Sequence, residues 1–286
     1  MTAHHRTATV EGLEIFYREA GDPANPTLLL LHGFPTSSSA YKGLIDRLAG
    51  EFHLIAPDYP GFGHSEAPPA GEWDYTFDHL ADVVEGLLDH LGVTRHAIYV
   101  HDYGAPVGFR LALRHPERVT GIVSQNGNAY DEGLTAFWDA FRPYWAAPDA
   151  ENTAALRGLL TADATRWQYS HGVPDTSLVD PDLAAGDQAL LDRPGNAEIQ
   201  LALFTDYGVN PGRYPDWQRY LRDHRPPVLA VWGRGDEIFG PDGATAFTRD
   251  QPDATVRLLD TGHFPLTTHL DESAELIAGF LRGLPH

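Results

Sequence analysis

Ala97-Ile98-Tyr99-Val100-His101-Asp102-Tyr103-Gly104-Ala105-Pro106-Val107-Gly108 holds the transition around which the chain is organised. A short apolar run with β-branched residues enters a glycine-containing turn, and an amphipathic segment over residues 107–115 leaves it. That is the pattern of a strand, a sharp turn and a helix. A side chain at such a turn is lifted off the sheet toward the helix N-terminus, where free N–H groups and the dipole favour negative charge. The residue there is Asp102, and function depends on what an aspartate does at that point.

The same alternation extends in both directions. Residues 7–10 and 13–17 flank Glu11-Gly12 and predict a β-hairpin. Residues 27–31 form a continuous apolar run, as expected of a strand buried on both faces, and lead into His32-Gly33-Phe34-Pro35 and a helix over about 41–49. The strand at 52–56 ends in a glycine-rich turn from Asp58 to Ser65, which lacks the Gly-Lys-Ser/Thr ending of a phosphate loop. Helical spacing over 77–91 stops at Gly92, and a further buried strand spans 119–124. The rhythm then breaks. Over residues 131–216 the helical patterns are short and aromatic residues accumulate, among them Trp138, Tyr144, Trp145, Trp167, Tyr169, Tyr207 and Tyr214. Buried-strand composition returns at 228–232, a short helix follows at 243–248 and a last strand at 255–259, and an amphipathic helix over 271–281 closes the chain.

This order predicts an α/β fold with a mostly parallel sheet, its core built from residues 1–130 and 217–286 and interrupted by a helical cap at 131–216. In such sheets the active crevice lies at the carboxyl ends of the strands. His32, Asp58, Asp102, Asn126, Asp236 and His263 all follow strands there.

Composition narrows the partners. The 286 residues carry a net charge of −20 with no basic stripe, which argues against nucleic acid and favours a neutral organic small molecule as substrate. No run reaches the roughly 18 apolar residues of a membrane span, and the first residues lack the apolar stretch of a signal peptide. With no cysteine there is no disulfide framework or thiolate site, and the histidines do not show zinc-ligand spacing. A cytoplasmic protein without metal or cofactor is expected; the oligomeric state stays open, a homodimer included.

Two segments give Asp102 a context. Trp232-Gly233-Arg234-Gly235-Asp236 leaves one strand, and an acid just past a strand end can orient an imidazole. Asp260-Thr261-Gly262-His263-Phe264 leaves the last strand, where a histidine on a tight loop suits a base. Each residue alone also fits a turn or a helix cap. Together they run nucleophile, acid, base in chain order. The backbone N–H groups of Phe34 and Tyr103 are candidates for an oxyanion hole, with His32, His101 and Pro35 as pocket residues.

These stretches resemble the α/β-hydrolase superfamily, and within it the branch of epoxide hydrolases and haloalkane dehalogenases. The likeness rests on His32-Gly33-Phe34-Pro35, Asp58 to Ser65, His101-Asp102-Tyr103-Gly104-Ala105, Trp232 to Phe239 and Gly262-His263-Phe264. The usual elbow reads G-x-S-x-G. Here Asp102 stands for the serine, Gly104 keeps the second glycine and Val100 replaces the first. The resemblance implies an eight-stranded, mostly parallel sheet with a helical cap. It also implies that Asp102 attacks a saturated carbon to form an alkyl-enzyme ester, which water activated by His263, itself oriented by Asp236, then hydrolyses.

The leaving group separates the two activities. Dehalogenases of this branch hold the halide with a Trp directly after the nucleophile and an Asn after the His-Gly turn; Tyr103 and Phe34 stand here instead. Fluoroacetate dehalogenases place arginines just after the nucleophile, where this chain has Ala105-Pro106-Val107-Gly108. Epoxide hydrolases protonate the departing oxygen from cap tyrosines, and Tyr207, Tyr169 and Tyr144 are the candidates. An epoxide hydrolase for a neutral bulky or aromatic substrate is therefore expected. A haloalkane dehalogenase is the alternative, and a ligand-binding protein with little turnover is the alternative from another class.

Overall fold

A computed structural model describes residues 2–285. Eight strands form one sheet: β1 (His4–Val10), β2 (Leu13–Ala20), β3 (Thr27–Leu31), β4 (His53–Pro57), β5 (His96–His101), β6 (Val119–Gln125), β7 (Val228–Gly233) and β8 (Thr255–Leu259). Their spatial order is β1-β2-β4-β3-β5-β6-β7-β8. The hairpin β1–β2 turns at Glu11 and Gly12, both at positive φ, and pairs antiparallel to β4; every other pairing is parallel.

The apolar runs have a direct physical cause. Along β3, Leu28 and Leu30 face one side and Leu29 and Leu31 the other, and all four are fully buried. The central strands are sandwiched between helical layers and have no solvated face, so polar alternation disappears there, whereas the edge strands β1 and β8 keep exposed positions. On one side lie α1 (Lys42–Leu48) and the closing helix; on the other lie α2 (Phe77–His90) and α3 (Gly104–Arg114). Helix α3 begins three residues earlier than its amphipathic pattern. Pro106 is tolerated there because the first helical turn has no use for its missing N–H.

Between β6 and β7 the chain is helical: α4 (Phe141–Ala146), α5 (Ala150–Arg157), α6 (Ala162–Ser170), α7 (Pro181–Leu191), α8 (Asn196–Tyr207) and α9 (Asn210–His224), with short 3₁₀ turns among them. The boundary drawn at 216/217 falls inside α9, whose 15 residues were hidden from pattern reading by Pro211, Gly212 and Pro215. Three helices follow: α10 (Pro241–Asp250), α11 (Pro265–Thr268) and α12 (Leu270–Arg282). No helix among the described residues is long and apolar enough to cross a membrane.

Candidate active site

The carboxyl ends of β3, β5, β7 and β8 meet at one point. Asp102 sits between β5 and α3 with φ of 50°, a left-handed conformation that aspartate tolerates better than most residues. His263 Nδ1 lies 2.8 Å from Asp236 Oδ2, and its Nε2 lies 3.9 Å from Asp102 Oδ2. The backbone N–H groups of Phe34 and Tyr103 both donate to Asp102 Oδ1, at 2.7 and 2.6 Å. One carboxylate oxygen is thus held by two donors and the other is turned toward the imidazole.

The turn can be this tight because small residues stand where chains touch. A Cβ on Gly104 would lie 2.1 Å from the Leu31 carbonyl oxygen, a backbone atom that cannot swing aside. Gly104→Ala is therefore expected to cost at least about 1–3 kcal/mol, read as a lower urea midpoint; an unchanged midpoint would disprove the close approach. Val100, where the elbow pattern has glycine, is accommodated from the other side. A Cβ on Gly108 of α3 would lie 2.5 Å from Val100 Cγ1, so the strand–helix contact has its small residue on the helix.

Burial sets the charges. It raises the Asp102 carboxyl to about 6, against the opposing pull of His263 and of the two backbone N–H groups. Burial works against the His263 imidazolium, but the Asp236 carboxylate and then Asp102 overcome it and hold the pKa above its ordinary value. Asn126, also at positive φ at the end of β6, donates to Asp236 Oδ2 at 2.6 Å and accepts from the Gly233 N–H at 3.1 Å. It fixes the acid while the Ile238 N–H takes the other carboxylate oxygen at 2.8 Å. Asp58 ties loops together, accepting from Ser38 N–H at 2.7 Å and His64 N–H at 2.8 Å.

A cavity of about 20 Å³ adjoins Asp102. A cavity needs roughly 10–15 Å³ to hold one water, so this one takes about a single molecule. Phe34 and Tyr103 wall it from the core, and Phe137, Trp138, Phe141 and Phe204 wall it from the helical insertion. In this conformation the aromatic side chains fill the space instead of enclosing it. The Trp138 indole N–H is committed to the Ile238 carbonyl at 2.8 Å. Gln168 also lines the cavity, is 4% exposed, and forms no side-chain hydrogen bond among the described residues. Nothing in the sequence marked it, because a polar residue on a half-buried helix is ordinary until its surroundings are known.

The other expected site residues divide. The Tyr207 ring stacks on Trp138 at 4.5 Å and lies 5.8 Å from that of Tyr103, but its hydroxyl interacts with Tyr214 and it does not line the cavity. Tyr169 is directed elsewhere, donating to Asp187 Oδ2 at 2.5 Å while its ring stacks on Phe264. Tyr144 binds the Leu201 carbonyl at 3.2 Å and Thr205 Oγ1 at 2.7 Å, an anchor within the insertion. His32, His101 and Pro35 do not line the cavity at Asp102. The His32 ring is held by the Gly33 carbonyl and the Tyr59 N–H, and burial lowers its pKa to about 4. His101 binds the Gln125 carbonyl and faces a separate cavity, while Pro35 is buried in its loop.

The profile of the alpha/beta hydrolase fold matches residues 26–270. Over 277 residues the chain is 47% identical to the uncharacterized hydrolase YNR064C of Saccharomyces cerevisiae, covering 96% of this chain and 95% of that one. It is 37% identical over 244 residues to haloalkane dehalogenase 2 of Mycobacterium tuberculosis, covering 79% and 76% of the two chains. The solved structure of epoxide hydrolase CorEH superposes with a TM-score of 0.78 at 20% identity, over 98% of this chain and 99% of that one.

Proposed function

The chain is a hydrolase of the α/β-hydrolase fold family, related to epoxide hydrolases and haloalkane dehalogenases, and we propose that it opens epoxides through an ester on Asp102. The observation that carries this reading is the asymmetry of the carboxylate: Oδ1 is taken by two backbone N–H groups and Oδ2 is left to attack. A carboxylate is a poor nucleophile toward esters but adequate at a saturated carbon whose leaving group is stabilised.

In the first step Oδ2 forms a bond to a ring carbon and the ring C–O bond breaks. The departing oxygen accepts a hydrogen bond from the Gln168 amide and takes a proton from Tyr207, whose phenol keeps that proton at neutral pH because burial raises its pKa. The hydroxyl of Tyr207 must turn from Tyr214 for this. The insertion has to open in any case, since no epoxide fits in the volume of one water, and catalytic hydrogen bonds often tighten only in the complex. In the second step His263 takes a proton from water, which attacks the ester carbon. Charge develops on Oδ1, already between the N–H groups of Phe34 and Tyr103. Collapse of this intermediate breaks the Cγ–Oδ2 bond, the departing diol oxygen takes the proton from the His263 imidazolium, and the proton left on the Asp102 carboxyl returns to the Tyr207 phenolate. The helices of residues 131–224 act in this scheme as a cap that admits a neutral substrate and excludes bulk water.

Haloalkane dehalogenation is the second reading, favoured by the 37% identity to a protein of that name and by the Gln168 amide, which could hold a halide without giving up a proton. Against it, the Trp138 indole is engaged, and the Phe34 and Tyr103 side chains carry no N–H. The test offers small epoxides and alkyl halides of the same carbon skeletons. Diol formation without halide release is expected, and halide release without diol formation would overturn the proposal.

A further inference from the structure

We propose that a second cavity, between α7 and the start of α1, binds a small organic carboxylate with an apolar tail. This cavity measures about 470 Å³, within the roughly 300–1,000 Å³ range of small-molecule sites, and shares no lining residue with the cavity at Asp102.

Arg18 carries the argument. It lines the cavity, is 5% exposed, and donates through Nε to Ser38 Oγ at 3.0 Å. Its two terminal nitrogens form no hydrogen bond, and its guanidinium no salt bridge, among the described residues. Asp58, the acid whose field acts on it, has both oxygens committed to the N–H groups of Ser38 and His64. A buried guanidinium with unused donors in a fixed fork matches the two oxygens of a carboxylate. Lys42, the only lysine of the chain, stands exposed on the same cavity, a second cation for an anion entering a protein of net charge −20. Leu183 and Leu190 of α7, with Phe264 and Leu266, supply apolar wall for the tail.

Two acids line this space beside the two cations. Asp187 is tied to the Tyr169 hydroxyl, and burial pushes its carboxyl up to about 7. Asp182 is exposed at the start of α7. Phe264 adjoins His263 in the chain and His101 adjoins Asp102, so a ligand here would rest against the backs of both loops without touching the reacting atoms.

The test is calorimetric titration with benzoate and with benzamide at constant ionic strength, reading binding and not turnover. Benzoate is expected to bind at least tenfold more tightly than benzamide, to lose at least tenfold in affinity with Arg18→Gln, and to bind Asp102→Asn as well as the parent. Gly186→Phe provides an independent block, because a Cβ at this α7 position on the cavity meets nothing within 4 Å and the ring would occupy the ligand's space. No benzoate binding, equal binding of the amide, undiminished binding by either cavity variant, or loss of binding in Asp102→Asn would each overturn the proposal.

Discussion

Asp102→Asn is expected to lower turnover at least about 10⁴-fold and, at the same time, to make the protein more stable at neutral pH. The amide keeps an oxygen for the N–H groups of Phe34 and Tyr103, and asparagine tolerates the positive φ, so the elbow is retained. What is lost is the nucleophile. What is gained follows from proton linkage. Burial raises the carboxyl from 3.8 to about 6, so the folded chain binds this proton more tightly than the unfolded one. The resulting destabilisation is absent below the unfolded value, grows between the two, and is complete above about 6, where it is worth up to about 3 kcal/mol. Urea unfolding of both proteins at pH 5 and pH 8 should show the larger gain at pH 8. By the same shift, activity of the parent should fall as pH drops through about 6, where the carboxylate is protonated. A variant that keeps more than a few per cent of activity would remove Asp102 from the centre of the reaction, and one that gains equally at both pH values would refute the raised pKa of its carboxyl.

His263→Gln is expected to separate the two half-reactions. Attack by Asp102 does not use the imidazole as a base, whereas hydrolysis of the ester does. Steady-state turnover should fall by about 10³-fold, while the enzyme accumulates in its esterified form. Intact-protein mass spectrometry reads the outcome. An epoxide adds its whole mass, because ring opening expels nothing. An alkyl halide would add only its alkyl group and release one halide per chain. The same variant therefore reports the mechanism and the leaving group together. Failure of any adduct to form on Asp102 with either substrate class would exclude the covalent route.

The parts of the site that the sequence made legible are those fixed by local pattern. Asp102 and Asp236 each follow an apolar run that reads as a buried strand, His263 follows the half-exposed edge strand β8, and parallel strands bring their carboxyl ends to one edge. The insertion resisted the same reading. Its aromatic residues look alike in sequence whether they line a space or fill it, and Phe137, Trp138, Phe141 and Phe204 prove to fill most of it. The three tyrosines were separable only by the partners that tertiary packing gives their hydroxyls: Asp187 for Tyr169, Thr205 for Tyr144, Tyr214 for Tyr207. Gln168 and Arg18 went unremarked for a related reason, since an unused donor is a property of its surroundings and has no local signature.

The exchange of bulk between Val100 and Gly108 bears on how such an elbow can change over generations. The requirement belongs to a contact between β5 and α3, and either partner can satisfy it. A chain with glycine on the strand and a larger residue on the helix cannot reach the present pair by enlarging the strand residue first, because two bulky residues would collide. It must pass through glycine at both positions, a cavity costing about 1–3 kcal/mol that a stable protein survives. The order of the two substitutions is thereby dictated by sterics: in either direction the larger residue shrinks before its partner grows.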